Sequence, residues 1–207
     1  MYSASGVFSS SGIDKGTAIL LSYLHSERGA HVYGKFTADG VDTDSSESAP
    51  DEPINVLDLG CGWGVITLDA MLSLVGVAAK ISAVDVNQHA VQLSNLNVAE
   101  VQKQAGVANQ PGFPDAKAYL PQELPTLEYD LVLSNPPIRI GKTATIDLLV
   151  EYLDRLKSSG MAVFVIQKNL GADSIAKVLS ERGFVVEKRA SSKGFRILEV
   201  KKVGDAT

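Results

Sequence analysis

From residue 54 onward, short apolar runs bounded by turn residues alternate with amphipathic stretches. Such runs are typical of buried strands, and apolar positions that recur every three or four residues are typical of helices packed on a sheet. The pattern predicts seven strands, at 54–59, 80–86, 116–119, 127–134, 161–167, 184–189 and 195–200. It predicts helices at 65–75, 88–102, 143–157 and 173–182, and one at 15–27 before the first strand. This alternation indicates parallel βαβ units.

The last two predicted strands are joined differently from the others. Only the five residues from Ala190 to Gly194 separate them. A parallel crossover needs about a dozen residues, so this connection favours an antiparallel hairpin at the edge of the sheet. We therefore predict a three-layer, Rossmann-like α/β fold with about seven strands, mostly parallel with an antiparallel C-terminal strand. The leading helix is expected to lie across the top of the sheet.

The composition limits the number of domains. The chain has 207 residues, 45% of them hydrophobic, and a mean hydropathy of +0.09. This is enough apolar material for one sizeable core, so we expect a single domain over residues 1–207. The stretch 37–53 has no apolar periodicity, and it holds six acidic residues and no basic one between Asp39 and Glu52. We expect a flexible acidic loop there.

Charge is distributed unevenly along the chain. The formal net charge is −5, but residues 1–138 carry 6 basic and 16 acidic side chains, and residues 139–207 carry 13 basic and 8 acidic ones. The net charge is therefore a poor guide to the surface around a site. The basic downstream part is compatible with an anionic partner such as RNA.

Several classes of protein are disfavoured by the sequence. The longest uninterrupted apolar run, 161–166, has six residues, and the chain opens without a basic segment followed by an apolar one. We therefore expect neither a membrane span nor secretion. Cys61 is the only cysteine, and the three histidines are scattered singly. We expect no disulfide, no metal site and a reducing, cytoplasmic location.

A glycine-rich loop lies between the first predicted strand and its helix. Residues 58–64 read Asp-Leu-Gly-Cys-Gly-Trp-Gly, and backbone N–H groups at such a junction can bind a nucleotide-like cofactor. The dinucleotide fingerprint needs Gly-x-Gly-x-x-Gly, whereas here the spacing of Gly60, Gly62 and Gly64 is Gly-x-Gly-x-Gly. Asp58 would repel a pyrophosphate but can help to hold a cationic amino acid, directly or through water. These details favour S-adenosylmethionine over NAD.

One acidic residue closes the second predicted strand, and another lies next to the third. Asp85 closes the second strand, 25 residues beyond Gly60, where a carboxylate can accept hydrogen bonds from both ribose hydroxyls. The alternative is that Asp85 only caps the next helix, a role that Asn87 can fill. Asp115 follows a Pro-Gly-Phe-Pro turn near the third strand, and it can bond the adenine amine or serve only in the turn.

The fourth predicted strand runs directly into Asn135-Pro136-Pro137. Each proline fixes its own φ and holds the preceding residue out of the helical region, so the segment is rigid and extended. The carboxamide oxygen of Asn135 and the carbonyl of Pro136 can then accept two hydrogen bonds, which suits a planar NH₂ group. The alternative is a strand that simply ends at a Pro-Pro turn.

Together these motifs resemble a known family. The chain resembles the class I S-adenosylmethionine-dependent methyltransferases, and more closely the small-domain group typified by the ribosomal RNA small-subunit guanine-N2 methyltransferases. The resemblance covers residues 6–202, apart from an unmatched insertion near 30–53. It rests on Gly6-Val7-Phe8, Asp14-Lys15-Gly16-Thr17, the loop 58–64, Asp85-Val86-Asn87, Asn135-Pro136-Pro137 with Gly141, and Gln167-Lys168 before Gly171-Ala172.

The resemblance implies a class I methyltransferase fold, S-adenosylmethionine as the cofactor, and a guanine of ribosomal RNA or of the small ribosomal subunit as the target. Asn135 and Pro136 inherit the catalytic role of holding the target amine. The residues implied to bind the cofactor are Asp58, Gly60, Gly62, Gly64, Asp85, Val86, Asp115 and Asn135. Those implied to bind the substrate are Phe8, Pro137, Ile138, Arg139, Lys142 and Lys168.

One sequence position leaves the identity of the target base open. Many amino methyltransferases place an aromatic residue where this chain has Ile138, and that residue stacks on the flipped base. Phe8 can supply an aromatic wall instead, or it can pack on the sheet. Adenine N6 and a protein glutamine amide also present a planar NH₂ group, so both stay as alternatives, together with a non-catalytic S-adenosylmethionine-binding module.

Overall fold

The computed structural model describes residues 12–37, 52–105, 112–137 and 140–203. The strands in these ranges are β1 (Ile54–Leu59), β2 (Ala79–Val84), β3 (Asp115–Tyr119), β4 (Tyr129–Ser134), β5 (Leu156–Gln167), β6 (Phe184–Ser192) and β7 (Phe195–Lys202). They form one sheet in the order β3-β2-β1-β4-β5-β7-β6. All pairings from β3 to β5 are parallel, whereas β7 is antiparallel to both β5 and β6.

Helices cover both faces of this sheet. Those in the described ranges are α1 (Lys15–Leu24), α2 (Ala30–Gly34), α3 (Val65–Ser73), α4 (Gln88–Gln104), α5 (Lys142–Leu153) and α6 (Ala172–Glu181). None of them is long and apolar enough to cross a membrane. Neighbouring strand residues point to opposite faces, so Val56 packs in a cluster with α1 and α3, and Leu57 packs in another with α5 and α6. The predicted three-layer fold is confirmed.

The predicted hairpin is present, but its turn is shorter than the sequence suggested. Lys193 and Gly194 alone connect β6 to β7, with φ angles of 47° and 85°. Two consecutive positive φ angles allow a two-residue turn that matches the twist of the strands, so Ala190 to Ser192 extend β6. β7 lies between β5 and β6, and β6 is therefore the edge strand.

The fifth strand begins earlier than predicted, because α5 ends at Leu153 and β5 starts at Leu156. The register between β4 and β5 shifts just after Tyr129, so the predicted connection 158–160 becomes an irregular part of β5. A Cβ on Gly160 would lie 2.7 Å from the carbonyl oxygen of Tyr129, which is too close. Glycine therefore allows the two backbones to approach here.

The topology brings the candidate site together. Leu59 at the end of β1 pairs with Val84 of β2 and with Ser134 of β4, so the segments that follow all three strands meet at one edge. β7 runs the opposite way, so its first residue, Phe195, lies at this same edge opposite Gln167, the last residue of β5. Ligands of open α/β sheets bind at this carboxyl edge.

A buried ion-pair cluster ties α2 to the hairpin. Glu199 of β7 is 1% exposed, and it lies 2.8 Å from His31, 2.9 Å from Arg189 and 3.0 Å from Lys201. Burial alone would raise its pKa, but the hydrogen bonds from these partners outweigh burial and lower the pKa to about 2. The cluster holds this side of the sheet together, away from the carboxyl edge.

Candidate active site

A cavity of about 500 Å³ opens at the carboxyl edge of the sheet. Its lining comes from the ends of β1, β2, β4 and β5 and from the first residues of α1 and β7. Lining residues that bear on function are Asp14, Thr17, Gly60, Gly62, Trp63, Asp85, Val86, Pro121, Asn135, Pro136, Pro137, Tyr152, Gln167, Leu170 and Phe195. The structure thus brings the glycine loop, the acid after β2 and the Asn-Pro-Pro segment into one cavity.

The glycine loop has backbone angles that residues with a side chain rarely adopt. Gly60, Gly62 and Gly64 have φ angles of 75°, 55° and 93°. Gly60 and Gly62 line the cavity, whereas Gly64 begins α3 and faces α4. A Cβ on Gly64 would lie 2.6 Å from the hydroxyl oxygen of Ser94. The first two glycines therefore shape the cavity floor, and the third permits two helices to pack closely.

Asp85 is held in the cavity by the glycine loop. Its Oδ2 accepts a hydrogen bond from the Gly62 backbone N–H at 3.0 Å, and its Oδ1 accepts one from Asn87 at 2.9 Å. The cap of α4 is Asn87, which accepts from the His89 N–H at 3.0 Å. A carboxylate has room for about four hydrogen bonds, so Asp85 can still accept from a diol. Its neighbour Val86 is 82% exposed and offers an apolar surface beside it.

Asp58 lies beneath the loop and not in the cavity lining. Its side chain is 1% exposed, and Oδ2 accepts from the Thr67 backbone N–H at 2.9 Å and from the Thr67 hydroxyl at 2.6 Å. Oδ1 is buried without a hydrogen-bond partner in the described ranges. Burial raises the pKa of Asp58 to about 7, although the bonds from Thr67 oppose that shift. A contact with a ligand would have to pass through water.

The expected role of Asp115 is wrong. Asp115 is the first residue of β3, pairs with Lys80 near the beginning of β2 and is exposed. Five residues of strand, roughly 13 Å, separate that end from the carboxyl edge. Asp115 stands at the amino end of its strand, as the predicted strand 116–119 already implied, whereas ligands bind at the carboxyl ends. From this region it is Pro121, just after β3, that lines the cavity.

Asn135 is oriented by the beginning of α1. Its amide nitrogen donates to Oδ2 of Asp14 at 2.7 Å and to the Thr17 hydroxyl at 3.1 Å. Because a carboxylate oxygen accepts hydrogen bonds, the NH₂ group must face Asp14, and Oδ1 of Asn135 is left as an acceptor. The same Asp14 oxygen caps α1 by accepting from the Gly16 N–H at 2.7 Å and the Thr17 N–H at 3.2 Å.

Gly16 allows the beginning of α1 to lie close to Asn135 and Phe195. A Cβ at position 16 would lie 3.0 Å from Oδ1 of Asn135 and 3.0 Å from Cε1 of Phe195. Contacts this short are tighter than normal side-chain packing, so any side chain at this position would displace one of its neighbours. The glycine of the Asp-Lys-Gly-Thr segment is thus explained by close approach.

Some of the residues predicted to contact the substrate line the cavity, others lie outside it, and others are outside the described residues. Pro136 is buried and Pro137 is exposed, and both line the cavity. Lys142 and Lys168 are exposed outside the lining; the Lys142 ammonium donates to the Ser174 hydroxyl, and the Lys168 N–H donates to the Gly194 carbonyl at 2.7 Å. Phe8, Ile138 and Arg139, and the acidic stretch 38–51, lie outside the described residues.

Sequence reasoning gave no site role to several residues of the cavity, among them Asp14, Thr17, Gln167 and Phe195. Asp14, Thr17 and Gln167 enter the sequence analysis only through the motifs of the family resemblance and, for Gln167, as the end of a predicted strand. Phe195 had been assigned to a closing strand with no functional role. An N-cap acid that is followed by glycine and threonine is a weak signal, and nothing local to Phe195 indicates that it faces a ligand.

The sequence model of the methyltransferase small domain matches residues 1–199. The chain belongs to the methyltransferase small domain family. This assignment confirms the predicted resemblance to class I methyltransferases and the predicted cofactor, S-adenosylmethionine. The individual residues that contact the cofactor stay predictions.

Members of the family with similar sequences differ in length. The uncharacterized protein YbxB of Bacillus subtilis is 31% identical over 205 residues, which are 97% of this chain and 85% of that protein. The ribosomal RNA small subunit methyltransferase C of Shewanella denitrificans is 28% identical over 178 residues, 84% of this chain and 41% of that protein. The chain thus spans about two fifths of this longer relative.

A solved methyltransferase structure has a similar fold. The T. thermophilus 16S rRNA N2 G1207 methyltransferase (RsmC), in complex with AdoMet and guanosine, superposes with a TM-score of 0.63 at 20% identity. The match covers 96% of this chain and 46% of that one. The fold of this chain is therefore that of a Rossmann-like methyltransferase.

Proposed function

We propose that this methyltransferase transfers a methyl group from S-adenosylmethionine to the exocyclic N2 of a guanine in small-subunit ribosomal RNA. The observation that carries the proposal is the orientation of Asn135, whose NH₂ group is engaged by Asp14 and Thr17 while its oxygen stays an acceptor. An acceptor fixed in this way suits a target that donates two N–H bonds. The small-subunit ribosomal RNA methyltransferases among the relatives support this choice of substrate.

The cofactor half of the cavity suits S-adenosylmethionine. The loop of Gly60 and Gly62 leaves space for the amino-acid moiety, and Asp85 is held so that it can accept from the ribose hydroxyls. The exposed side chain of Val86 can cover one face of the adenine. The partnerless buried Oδ1 of Asp58 can polarise a water molecule toward the ammonium group. When bound, S-adenosylmethionine would supply an electrophilic methyl group: the N–CH3 bond would form as the S–CH3 bond breaks and S-adenosylhomocysteine leaves, and the methylated nitrogen would then lose one proton to water.

The residues of this chain act mainly by positioning. Oδ1 of Asn135 and the carbonyl oxygen of Pro136 each accept one N–H of the amine, which favours a pyramidal nitrogen with an available lone pair. Pro136 and Pro137 keep those acceptors rigid. No strong general base is needed, since the nitrogen becomes acidic only once it is methylated.

The surroundings of the cavity are compatible with an RNA backbone. Lys142, Lys168 and Lys193 are exposed, Lys168 directly follows Gln167 of the cavity lining, and all three lie in the part of the sequence with more basic than acidic residues. Their contacts with phosphates would be sequence-independent. Arg196 is less available, because its Nε lies 3.5 Å from Asp173.

The test is to map methylated nucleotides of ribosomal RNA, by mass spectrometry, in cells with and without this protein. The proposal expects one small-subunit guanine to lose its N2 methyl group when the protein is absent, and to regain it in isolated subunits supplied with protein and S-adenosylmethionine. A methyl group lost from an adenine or from a protein glutamine would replace guanine by one of the alternative targets. No change in any methyl group would contradict a catalytic role on these substrates.

A further inference from the structure

Three of the described residues that line the cavity are aromatic: Trp63, Tyr152 and Phe195. Trp63 and Tyr152 are buried, at 7% and 4% exposure, and Trp63 packs against Ala90 of α4. Phe195 is only partly buried. A ring can stack on a ligand only where its face is accessible, so Phe195 is the aromatic side chain of these three that can offer one.

Phe195 lies next to the amine acceptor. Its Cε1 and Oδ1 of Asn135 are each 3.0 Å from the point where a Cβ of Gly16 would stand, so the two atoms are at most twice that distance apart. The backbone around the ring is fixed, because Phe195 pairs with Gln167 and the preceding Gly194 accepts from Lys168 at 2.7 Å. A planar group whose amine bonds Asn135 must therefore extend close to this ring.

The size and shape of the ligand decide whether it can stack on the Phe195 ring. A purine extends several ångströms from its exocyclic amine as one rigid plane, whereas a glutamine amide ends in a flexible aliphatic chain. Only the purine gains from a flat aromatic face, and stacking on one base changes affinity roughly fivefold to a hundredfold. An aromatic wall beside the acceptor thus favours a nucleobase over a protein amide.

We propose that Phe195 binds the substrate by stacking on the target base, so that its amine is delivered to Asn135. This inference rests on the proposed function and adds a specificity element to it. The competing explanation is that Phe195 only packs, since it contacts the cluster under α1 and the ammonium of Lys15 lies 6.0 Å from its ring centroid. The two explanations differ in what a non-aromatic side chain of similar bulk would do.

The experiment compares Phe195→Leu, which keeps an apolar side chain, with Phe195→Tyr, which keeps the flat ring. Methyl transfer is measured on small-subunit ribosomal RNA from cells that lack the protein, and S-adenosylmethionine affinity and Tm are measured for each variant. For Phe195→Leu we expect kcat/KM to fall roughly tenfold to a hundredfold, mainly through KM, with cofactor affinity unchanged. Phe195→Tyr should stay within about threefold of the unmodified protein.

Phe184 offers a matched control. It is a buried phenylalanine at the beginning of β6, outside the cavity lining, and Phe184→Leu should lower Tm without lowering kcat/KM. The stacking role is overturned if Phe195→Leu keeps near-normal kcat/KM, if Phe195→Tyr loses as much as Phe195→Leu, or if Phe195→Leu loses cofactor affinity in proportion. If the unmodified protein transfers no methyl group to this RNA, the proposed function fails and the inference falls with it. Normal turnover by both the unmodified protein and Phe195→Leu would remove the inference alone.

Discussion

The cavity has a proposed cofactor half and a proposed target half, and the two are built in different ways. The cofactor half belongs to one strand-helix-strand unit, from Asp58 to Asp85, and its contacts run between a glycine loop and the acid after the next strand. The target half joins Asn135 to Asp14, 121 positions earlier in the chain, and to Phe195 of the inserted strand β7. Substitutions in the first half should therefore change S-adenosylmethionine affinity, and substitutions in the second should change methyl transfer.

The largest effect is expected for Asn135→Ala. It removes the acceptor proposed to act on the reacting amine, so kcat should fall by roughly a hundredfold to a thousandfold. S-Adenosylmethionine affinity, measured by calorimetry, should stay within a few fold. Asn95→Ala is the matched control, because Asn95 also bonds through its carboxamide, here to the backbone of Ala118 on β3. Near-normal turnover of Asn135→Ala would remove Asn135 from the mechanism.

Asp85→Ala should weaken S-adenosylmethionine binding more than it lowers kcat, the reverse of Asn135→Ala. Hydrogen bonds to a charged group contribute about 1.5–3 kcal/mol, so the Kd for S-adenosylmethionine should rise roughly tenfold to a hundredfold, while kcat at saturating cofactor falls far less. Asp115→Ala is the control, since Asp115 lies at the other end of the sheet and should leave the Kd unchanged. Equal effects of both substitutions would mean that the cofactor binds elsewhere.

The difference between the halves also explains what the sequence could predict. The glycine loop, Asp85 and the cap at Asn87 depend on local chain geometry, and the structure places Gly60, Gly62 and Asp85 at the cavity and Asn87 at the cap of α4. The role expected of Asp115 was wrong because this residue precedes its strand, and the strand leads away from it to the carboxyl edge. Phe195 and Asp14 could not be found from local patterns, since the insertion of β7 between β5 and β6 and the docking of α1 are set by long-range packing.

Gly16→Ala probes the target half without removing a functional group. The added Cβ would lie 3.0 Å from Oδ1 of Asn135 and from Phe195, so the acceptor or the ring must shift. We expect kcat/KM to fall roughly tenfold, since overpacking costs about 1–3 kcal/mol, with cofactor affinity unchanged. Gly34→Ala is the control, because a Cβ at Gly34 of α2 meets nothing within 4 Å. Unchanged turnover of Gly16→Ala would show that the target half can accommodate an added methyl group without displacing Asn135 or Phe195.

The smallest effect on methyl transfer is expected at Asp58, the buried acid of the cofactor half, where the prediction concerns the free energy of unfolding. Its pKa in the folded protein is about 7, well above the ordinary 3.8, because burial disfavours its charge. The folded state therefore holds a proton that the unfolded chain has lost, and the free energy of unfolding should fall as the pH rises from about 4 to about 7. Asp58→Asn keeps an acceptor for Thr67 but does not titrate, so its stability should fall less over the same range.

The measurement is urea unfolding of the two proteins at several pH values. The difference in unfolding free energy between them should change by about 3 kcal/mol between pH 4 and pH 7. Asp115→Asn, at an exposed site, should follow the unmodified protein throughout. Parallel curves for Asp58→Asn and the unmodified protein would mean that Asp58 is already ionised at low pH. In that case the partnerless Oδ1 beneath the glycine loop would carry a charge before any cationic ligand arrives, and the cofactor half would be as preorganised as Asn135 makes the target half.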